Sequence, residues 1–317
     1  MPGLYSTLTL RLGEHVMLFP GIRLNFYTTP QGSARASTAK DRMGVDPRLR
    51  FIWSITDNTA LKGGIGLYSQ GAGPQQSDSV FGSTRLGLER SLHTSLAIAQ
   101  ELPWDLSLEV TGFYKQLWSL ISPSTSLIAL PAPDGLEIKS ENYANTGTGR
   151  IYGGEVLLQK PLGDRFYGWL SYTLMRSVRT PAPGEAQRLF DFDQTHIMTL
   201  IASYDFPYNW RIGARFRLVS GNPYTPITDA VFDATSGGYQ PVLGPPNSAR
   251  LPVFHQLDLR IDKTWVYRRV RVTSYLDVQN VYNAENYEFL SYSYDYQQYI
   301  PILSLPTAPS IGTKIEF

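Results

Sequence analysis

Apolar and polar residues alternate with a period of two along this sequence, in repeated segments of about ten residues. In the stretch 257–262, for example, two leucines and an isoleucine alternate with Asp258, Arg260 and Asp262. Successive side chains of a β-strand point to opposite faces, so each segment predicts a strand with one apolar and one polar face. The apolar positions are almost free of charge, and a charge that faces lipid costs about 2–4 kcal/mol at mid-depth. The pattern therefore predicts an all-β fold, an antiparallel transmembrane β-barrel.

The connections between the predicted strands alternate strictly between short and long. Short turns are predicted at 13–14, 57–59, 103–105, 163–164, 207–209 and 267–268, and long loops at 28–46, 71–90, 121–145, 178–193, 221–253 and 283–305. Outer-membrane barrels have this asymmetry, with short turns in the periplasm and long loops outside the cell. A soluble β-sandwich is the alternative, but its connections would mix lengths and its outer faces would carry charge.

Composition excludes several classes of protein. The net charge of the 317 residues is +1, which argues against a nucleic-acid surface. There is no cysteine, so disulfides, thiolate metal sites and a lipidated cysteine are excluded. No apolar run exceeds about four residues, whereas a membrane-spanning helix needs about 20. The first three residues have neither the basic nor the apolar region of a signal peptide, so an exported form would have lost that peptide or would be part of something longer.

The predicted membrane strands number thirteen: six hairpins with short turns, and the final strand. The first turn is short, which places the N-terminus of the chain on the outer side. A complete bacterial barrel has an even number of strands, so we expect residues 1–317 to form a single domain that is the C-terminal portion of a larger barrel. A competing count of fourteen makes 290–299 a membrane strand, but its alternation of Tyr292, Tyr294 and Tyr296 with polar residues suits an extracellular hairpin better.

The last strand ends the chain on an aromatic residue. Ile311, Thr313, Ile315 and Phe317 share one face, opposite a face of glycine and polar residues. We expect this strand to close the barrel, since an unpaired strand edge is not tolerated in lipid. The ending also resembles the C-terminal assembly signal of bacterial outer-membrane barrels, which implies the barrel-assembly machinery as a partner.

Several stretches of the chain resemble one family. They are 145–150 (NTGTGR), 153–155 (GGE), 169–173 (WLSYT), 193–196 (DQTH), 220–226 (SGNPYTP), 256–260 (QLDLR), 262–263 (DK) and 276–283 (LDVQNVYN). In combination they are similar to the second half of the barrel of TonB-dependent outer-membrane receptors, over nearly all of the chain. The resemblance implies a 22-stranded barrel, an N-terminal plug domain and a short box that binds TonB; neither plug nor box is found in this sequence.

The same resemblance implies the function. Such receptors import siderophore-bound iron, cobalamin, carbohydrates or other scarce solutes, using the proton gradient of the inner membrane. We therefore expect an outer-membrane receptor that contacts the lipid bilayer and lipopolysaccharide, with long loops outside and the short turns and C-terminus in the periplasm. The alternative is a passive porin-like channel. Neither the sequence nor the resemblance fixes the small-molecule ligand.

Arginines are frequent on the polar face of the predicted strands. They are Arg23, Arg48, Arg50, Arg211, Arg215, Arg217, Arg260 and Arg271. We take Arg211, Arg215, Arg217, Arg260 and Arg271, with Asp258, as candidates for the lumen or ligand-facing wall, where a row of cations would steer an anionic solute. The interpretation that we favour is simpler: these residues pair with Glu109, Glu155, Asp258, Asp262 and Asp277, or with carboxylates of a plug.

Tyrosines cluster in the last long loop, and Tyr292, Tyr294 and Tyr296 are the candidates for contact with a ligand. They would stack on a sugar or an aromatic chelator, or would belong to the aromatic girdle at the membrane surface. These two interpretations remain open.

No catalytic site, cofactor or metal is expected. The four histidines are scattered without metal-ligand spacing, and neither a G-x-S-x-G nor an H-E-x-x-H motif occurs. Asp193 and His196 form the one arrangement that resembles an acid–base pair. They lie in a stretch shared with the receptor family, so we do not expect an enzyme.

Overall fold

The computed structural model describes residues 2–27, 42–78, 81–83, 85–132, 135–161, 163 and 165–317. Its strands are β1 (Gly3–Thr7), β2 (Leu10–Leu12), β3 (Val16–Tyr27), β4 (Arg42–Thr56), β5 (Thr59–Gln70), β6 (Glu89–Leu102), β7 (Leu106–Ala132), β8 (Gly135–Lys160), β9 (Phe166–Thr180), β10 (Arg188–Leu189), β11 (His196–Phe206), β12 (Trp210–Val219), β13 (Pro223–Tyr224), β14 (Ile227–Asp233), β15 (Gly238–Leu243), β16 (Ala249–Arg250), β17 (Phe254–Val266), β18 (Arg271–Gln279), β19 (Tyr287–Tyr292), β20 (Tyr299–Leu303) and β21 (Ala308–Glu316). One 3-10 turn, Pro207–Asn209, joins β11 to β12. Within the described part of the chain, no helix has the length and hydropathy of a membrane span.

Fifteen strands form one antiparallel sheet. Its main path has thirteen members in the order β1-β3-β4-β5-β6-β7-β8-β9-β11-β12-β17-β18-β21, with β2 beside β3 and β10 beside β9. The thirteen strands of this path are the thirteen that the alternation predicts. The first predicted strand is interrupted after Thr7, so it appears as β1 and β2, and both pieces pair with β3.

The segment that allowed a count of fourteen lies outside this sheet. Strands β19 and β20 pair only with each other, from Tyr287 opposite Leu303 to Tyr292 opposite Tyr299. The pairing of this segment as a hairpin is confirmed, and its position outside the cell stays a prediction. Two further hairpins, β13 with β16 and β14 with β15, occupy the predicted loop 221–253.

The predicted loop over 121–145 is wrong. Strand β7 continues to Ala132 and β8 begins at Gly135, so almost the whole stretch is paired. Serine, threonine and asparagine are found both in loops and in strands whose two faces meet water, and the ladder satisfies the backbone donors and acceptors of such a strand. Composition alone therefore does not separate the two cases. The predicted loop over 28–46 is also too long, since β4 begins at Arg42, while 28–41 lies outside the described residues.

Two short turns share a sequence pattern and a backbone conformation. The pattern is proline, an aromatic residue, then Asp or Asn. Trp104 and Asp105 have φ of 63° and 57°, and Tyr208 and Asn209 have φ of 62° and 59°. Two successive left-handed residues match the twist of the flanking antiparallel strands, which is why tight hairpins favour this arrangement. The short connections already predict two hairpins here, and the shared sequence pattern accompanies the tight turn in both.

The chain divides into two compact units. The first unit comprises residues 1–98, 111–152 and 177–188, and the second unit comprises residues 99–110, 153–176 and 189–317. In the first unit the ladder runs from β1 through β3 and β4 to β5, with Gly21 opposite both Thr7 and Arg48 and with one register shift between Ser54 and Thr56. In the second unit the ladder runs from β11 through β12, β17 and β18 to β21.

The described residues bury very little apolar surface. Only Leu86, Ala97, Val178 and Val219 are buried apolar residues, whereas ten polar or charged residues are buried. The apolar face of the second unit remains exposed, and the members of this face that exceed one third exposure include Leu200, Ile212, Leu259, Ile261, Leu276, Ile311 and Ile315. Each such side chain forgoes about 1.5–3 kcal/mol if water surrounds it. The apolar face therefore requires a hydrocarbon environment, as the charge-free alternation predicts.

Leu259→Arg will destabilise the folded chain in lipid vesicles by about 2–4 kcal/mol, because the residue is central in β17 and its side chain is on the apolar face. The control is Ser203→Arg, on the polar face of β11 opposite Gly213. It will change the free energy of unfolding by less than 1 kcal/mol, since surface substitutions usually stay within about 0.5 kcal/mol. Urea titration followed by tryptophan fluorescence measures both, and equal losses in the two variants would contradict a lipid-facing surface.

Candidate functional site

The charged residues of the second unit lie on the polar face of β12 and β17. The register places Arg211 opposite Asp262, and Arg215 opposite Asp258. Arg217 lies opposite Gln256 in the same ladder. Period-two alternation gives the face of each residue, and the register decides which of them meet.

Asp258 is the best-anchored carboxylate of this face. Arg215 donates two hydrogen bonds to its Oδ2 atom, from Nε at 2.8 Å and from Nη2 at 2.6 Å. Its Oδ1 atom accepts from Gln256 Nε2 at 2.6 Å and from the backbone N–H of Asn280 at 2.9 Å. Asp258 is only 8% exposed, and these four donors replace the water that burial removes.

Arg260 is held by two carboxylates and one aromatic ring. Its guanidinium donates to Asp262 at 2.8–3.1 Å and lies 3.7 Å from Asp277. The same group stacks on the ring of Tyr275, 4.0 Å from the ring centroid. That ring in turn covers Gly312 of β21, where a Cβ atom would lie 2.5 Å from it. A cross-strand stack thus fixes the direction of the arginine, and cation–π contact adds to the ion pairs.

The remaining arginines differ in their partners. Arg211 pairs with Asp205 across the short turn, at 2.5 and 2.9 Å. Asp205 was not among the sequence candidates, although its position opposite Arg211 in a tight hairpin was a usable signal. Arg217 stacks over Phe254 at 5.5 Å, and Arg271 lies opposite Glu316 in the register. Neither has a carboxylate within 4.0 Å in the part of the chain that the structure describes.

A cavity of about 650 Å³ adjoins this face near the short turn. Its charged lining residues are Asp205, Arg211, Arg260, Asp262, Arg271, Lys314 and Glu316. Cations and carboxylates alternate around it, so the cavity carries little net charge. Its chemistry is that of a polar wall rather than of an anion site.

The tyrosines form a second group, on the hairpins of the long connections. Tyr292 contacts Tyr296 and Tyr299 at centroid distances of 6.2 and 6.1 Å. Tyr294, which is 78% exposed, meets Tyr239 edge-on at 5.4 Å. The structure therefore joins hairpin β19–β20 to hairpin β14–β15 through one tyrosine pair.

Two residues of this group were not predicted from the sequence. Tyr239 is separated from Tyr294 by more than fifty residues, so only the fold brings them together. Burial raises the pKa of the Tyr224 hydroxyl, and the nearby phenols of Tyr292 and Tyr299 add to the shift.

Asp295 lies in the turn of hairpin β19–β20. Hydrogen bonds from Ser293 and from the backbone of Gln297 lower the pKa of Asp295, and the same bonds stabilise this turn.

Asp193 and His196 do not form an acid–base pair. Asp193 is fully buried and binds the guanidinium of Arg250, which also donates to the carbonyl oxygen of Gly221 at 3.0 Å. His196 instead shares a hydrogen bond of 2.8 Å with the hydroxyl of Tyr172 through its Nδ1 atom. The buried ion pair joins the long connection that ends at Asp193 to the long connection that contains Gly221 and Arg250, which is a structural role. Among the described residues, no group of three or more His, Asp or Glu side chains is arranged to hold a metal ion.

Residues 2–281 match the family model described as TonB dependent receptor-like, beta-barrel. The chain belongs to this family of TonB-dependent receptor barrels. The family consists of outer-membrane transport receptors rather than enzymes. A comparison with curated protein sequences finds no match.

Similar solved structures are receptors of the same kind. The ferric-catecholate import receptor Fiu from E. coli K12 is 15% identical, with a TM-score of 0.65 over 99% of this chain and 44% of that chain. The ferric yersiniabactin uptake receptor FyuA from Yersinia pestis is 15% identical, with a TM-score of 0.65 over 99% of this chain and 45% of that chain. The FrpB iron transporter from Neisseria meningitidis is 15% identical, with a TM-score of 0.61 over 98% of this chain and 44% of that chain. At this identity the likeness shows the fold, and the chain spans less than half the length of these receptors.

Asp258→Asn will lower the free energy of unfolding in lipid vesicles by about 1–3 kcal/mol, because the buried position loses a charged acceptor with four donors. Asp205→Asn is the matched control, since it also faces an arginine through two hydrogen bonds. Its pair is exposed and will contribute only about 0–1 kcal/mol. A loss at Asp205 as large as that at Asp258 would show that burial does not govern these pairs.

Proposed function

We propose that this chain forms the C-terminal part of the barrel of an outer-membrane TonB-dependent receptor that imports a scarce solute of the siderophore-iron, cobalamin or carbohydrate type. The observation that carries the proposal is the family match over 2–281, on a sheet whose one face is apolar and exposed and whose other face is lined with ion pairs. A wall with these two faces separates hydrocarbon from a polar interior.

The full receptor in this proposal has more strands and a plug. Thirteen strands lie on the main path of the sheet, and barrels of plugged outer-membrane transporters have about 22. The coverage of 44–45% of Fiu and FyuA supports a larger whole. TonB and the plug domain are then the protein partners, lipid and lipopolysaccharide surround the barrel, and the barrel-assembly machinery reads the strand that ends at Phe317.

The ligand-facing groups in this proposal are the tyrosines of the long connections and the arginines of the polar face. Aromatic rings in contact with one another, with Tyr294 strongly exposed, offer edges and faces to a ring-bearing ligand. The similar structure Fiu is a ferric-catecholate import receptor, and catechol is such a ring. A ring-bearing iron chelate is therefore the first solute to test.

Orientation in the membrane can be tested by labelling single cysteines, because the native chain has none. Thr235→Cys, in the turn between β14 and β15, will react with a membrane-impermeant maleimide in intact cells, since the long connections face outside in this proposal. Asn58→Cys, in the short turn between β4 and β5, will react only after the outer membrane is permeabilised. Both positions are exposed, so accessibility does not bias the comparison. The reverse labelling pattern would contradict the proposed orientation.

Uptake distinguishes a receptor from a passive channel. Cells that express the complete reading frame will accumulate radioactive iron bound to a catecholate chelator, and this accumulation will be lost in a strain without TonB. Sequencing directly upstream of residue 1 will reveal in-frame codons for a plug and further strands. Accumulation that is independent of TonB, or a stop codon followed by a promoter immediately upstream, would favour the porin-like alternative.

A further inference from the structure

A cavity of about 490 Å³ lies on the polar face of β1, β3, β4, β5 and β6, within the first unit. Small-molecule sites in proteins have volumes of about 300–1,000 Å³. Three arginines line the cavity: Arg23, Arg48 and Arg50. We call this site the arginine recess.

Glycines on the neighbouring strands create the recess. Arg48 lies between Gly21 of β3 and Gly66 of β5 in the register. Arg50 has Gly64 beside it on β5. A Cβ atom on Gly66 would lie 3.2 Å from Cγ of Arg48, so a side chain there would crowd the arginine stem. The missing side chains leave space in front of both guanidinium groups.

In the part of the chain that the structure describes, the three guanidinium groups have no carboxylate partner. Among the described residues, none of them lies within 4.0 Å of a carboxylate oxygen. Arg23 lies opposite Asp46 in the register, yet it donates to the amide oxygen of Asn25 at 2.7 Å. Asp46 is engaged elsewhere, since it accepts hydrogen bonds from Asn25 and Ser69 at 2.8 Å each and forms an ion pair with Arg90 at 3.6 Å.

The neighbours of the other two arginines are aromatic rings. Arg48 stacks over Tyr68 at 4.6 Å, and Arg50 over Phe19 at 5.1 Å. The Nε atom of Arg48 is buried and finds no hydrogen-bond partner among the described residues, so a charged group keeps an unsatisfied donor there. The arginines of the second unit show the contrast, since Arg211, Arg215 and Arg260 each hold a carboxylate.

We propose that the arginine recess binds a small anion that carries carboxylate or phosphate groups. Guanidinium forks match the oxygen pairs of these groups in geometry as well as in charge. Three positive charges around one cavity repel one another at reduced dielectric, and a bound anion offsets this repulsion because it attracts all three. Thr7 and Ser95 also line the cavity, and their hydroxyl groups are potential further donors. This site does not depend on TonB-driven uptake.

Direct titration tests the recess. The chain folded in detergent micelles will bind citrate and inorganic phosphate in isothermal titration calorimetry at low ionic strength. Arg48→Gln and Arg50→Gln will each weaken citrate binding at least tenfold, because each removes a charged fork from the site. Arg48→Lys keeps the charge but loses the fork, so its affinity will fall between wild type and Arg48→Gln.

Two controls separate the recess from general charge effects and from misfolding. Arg269→Gln removes an exposed arginine from the short turn between β17 and β18 in the other unit and will leave binding unchanged. Gly64→Val keeps every charge but fills the space beside Arg50, and it will abolish binding. Electrophoretic heat-modifiability confirms that each variant is folded.

Three outcomes would overturn the proposal. The first is that the folded wild-type chain binds neither citrate nor phosphate. The second is that Arg269→Gln weakens binding as much as Arg48→Gln. In the third, a peptide rich in glutamate binds while free citrate and phosphate do not, which would mean that the recess receives carboxylates of another polypeptide segment.

Discussion

The structure depends on the difference between the two media that its sheet faces. One face of the second unit's strands carries many exposed apolar side chains, among them Leu200, Ile212 and Leu259, and very few apolar side chains are buried among the described residues. A water-soluble sheet of this size would need a second layer to cover that face. With hydrocarbon as the solvent of the apolar face, the same arrangement needs no protein core, and the polar face becomes the side on which chemistry takes place.

On the polar face, the two units treat their arginines differently. In the second unit Arg215 and Arg260 are satisfied within the ladder by Asp258, Asp262 and Asp277. Such pairs set the direction of long side chains and lower the cost of holding charge in a confined space. In the first unit Arg48 and its neighbours have glycines and rings around them instead of carboxylates. Register sets which side chains lie opposite one another, and the neighbouring polar groups decide whether they pair, since Arg23 lies opposite Asp46 but donates to Asn25.

The sequence predicted what depends on local periodicity. The thirteen strands, their short turns and the apolar face follow from alternation, because a one-residue slip would move every side chain to the other medium. It did not predict the extent of β7 and β8, since a strand with two polar faces has the composition of a loop. Nor did it predict that Tyr239 meets Tyr294, or that Asp46 is occupied by Asn25 and Ser69, because those contacts depend on packing between distant segments. Family membership follows from the match of the family model to residues 2–281 as a whole, rather than from any single motif.

The most direct measurement of the central claim is a spin-label scan of β17 in lipid vesicles. Single cysteines at successive positions from His255 to Lys263 would carry a nitroxide, and collision rates with oxygen and with a water-soluble nickel complex would be compared by electron paramagnetic resonance. Oxygen collisions will peak at Leu257, Leu259 and Ile261, and nickel collisions at Asp258, Arg260 and Asp262. High nickel accessibility along the whole strand, without a period of two, would contradict a sheet that faces hydrocarbon on one side.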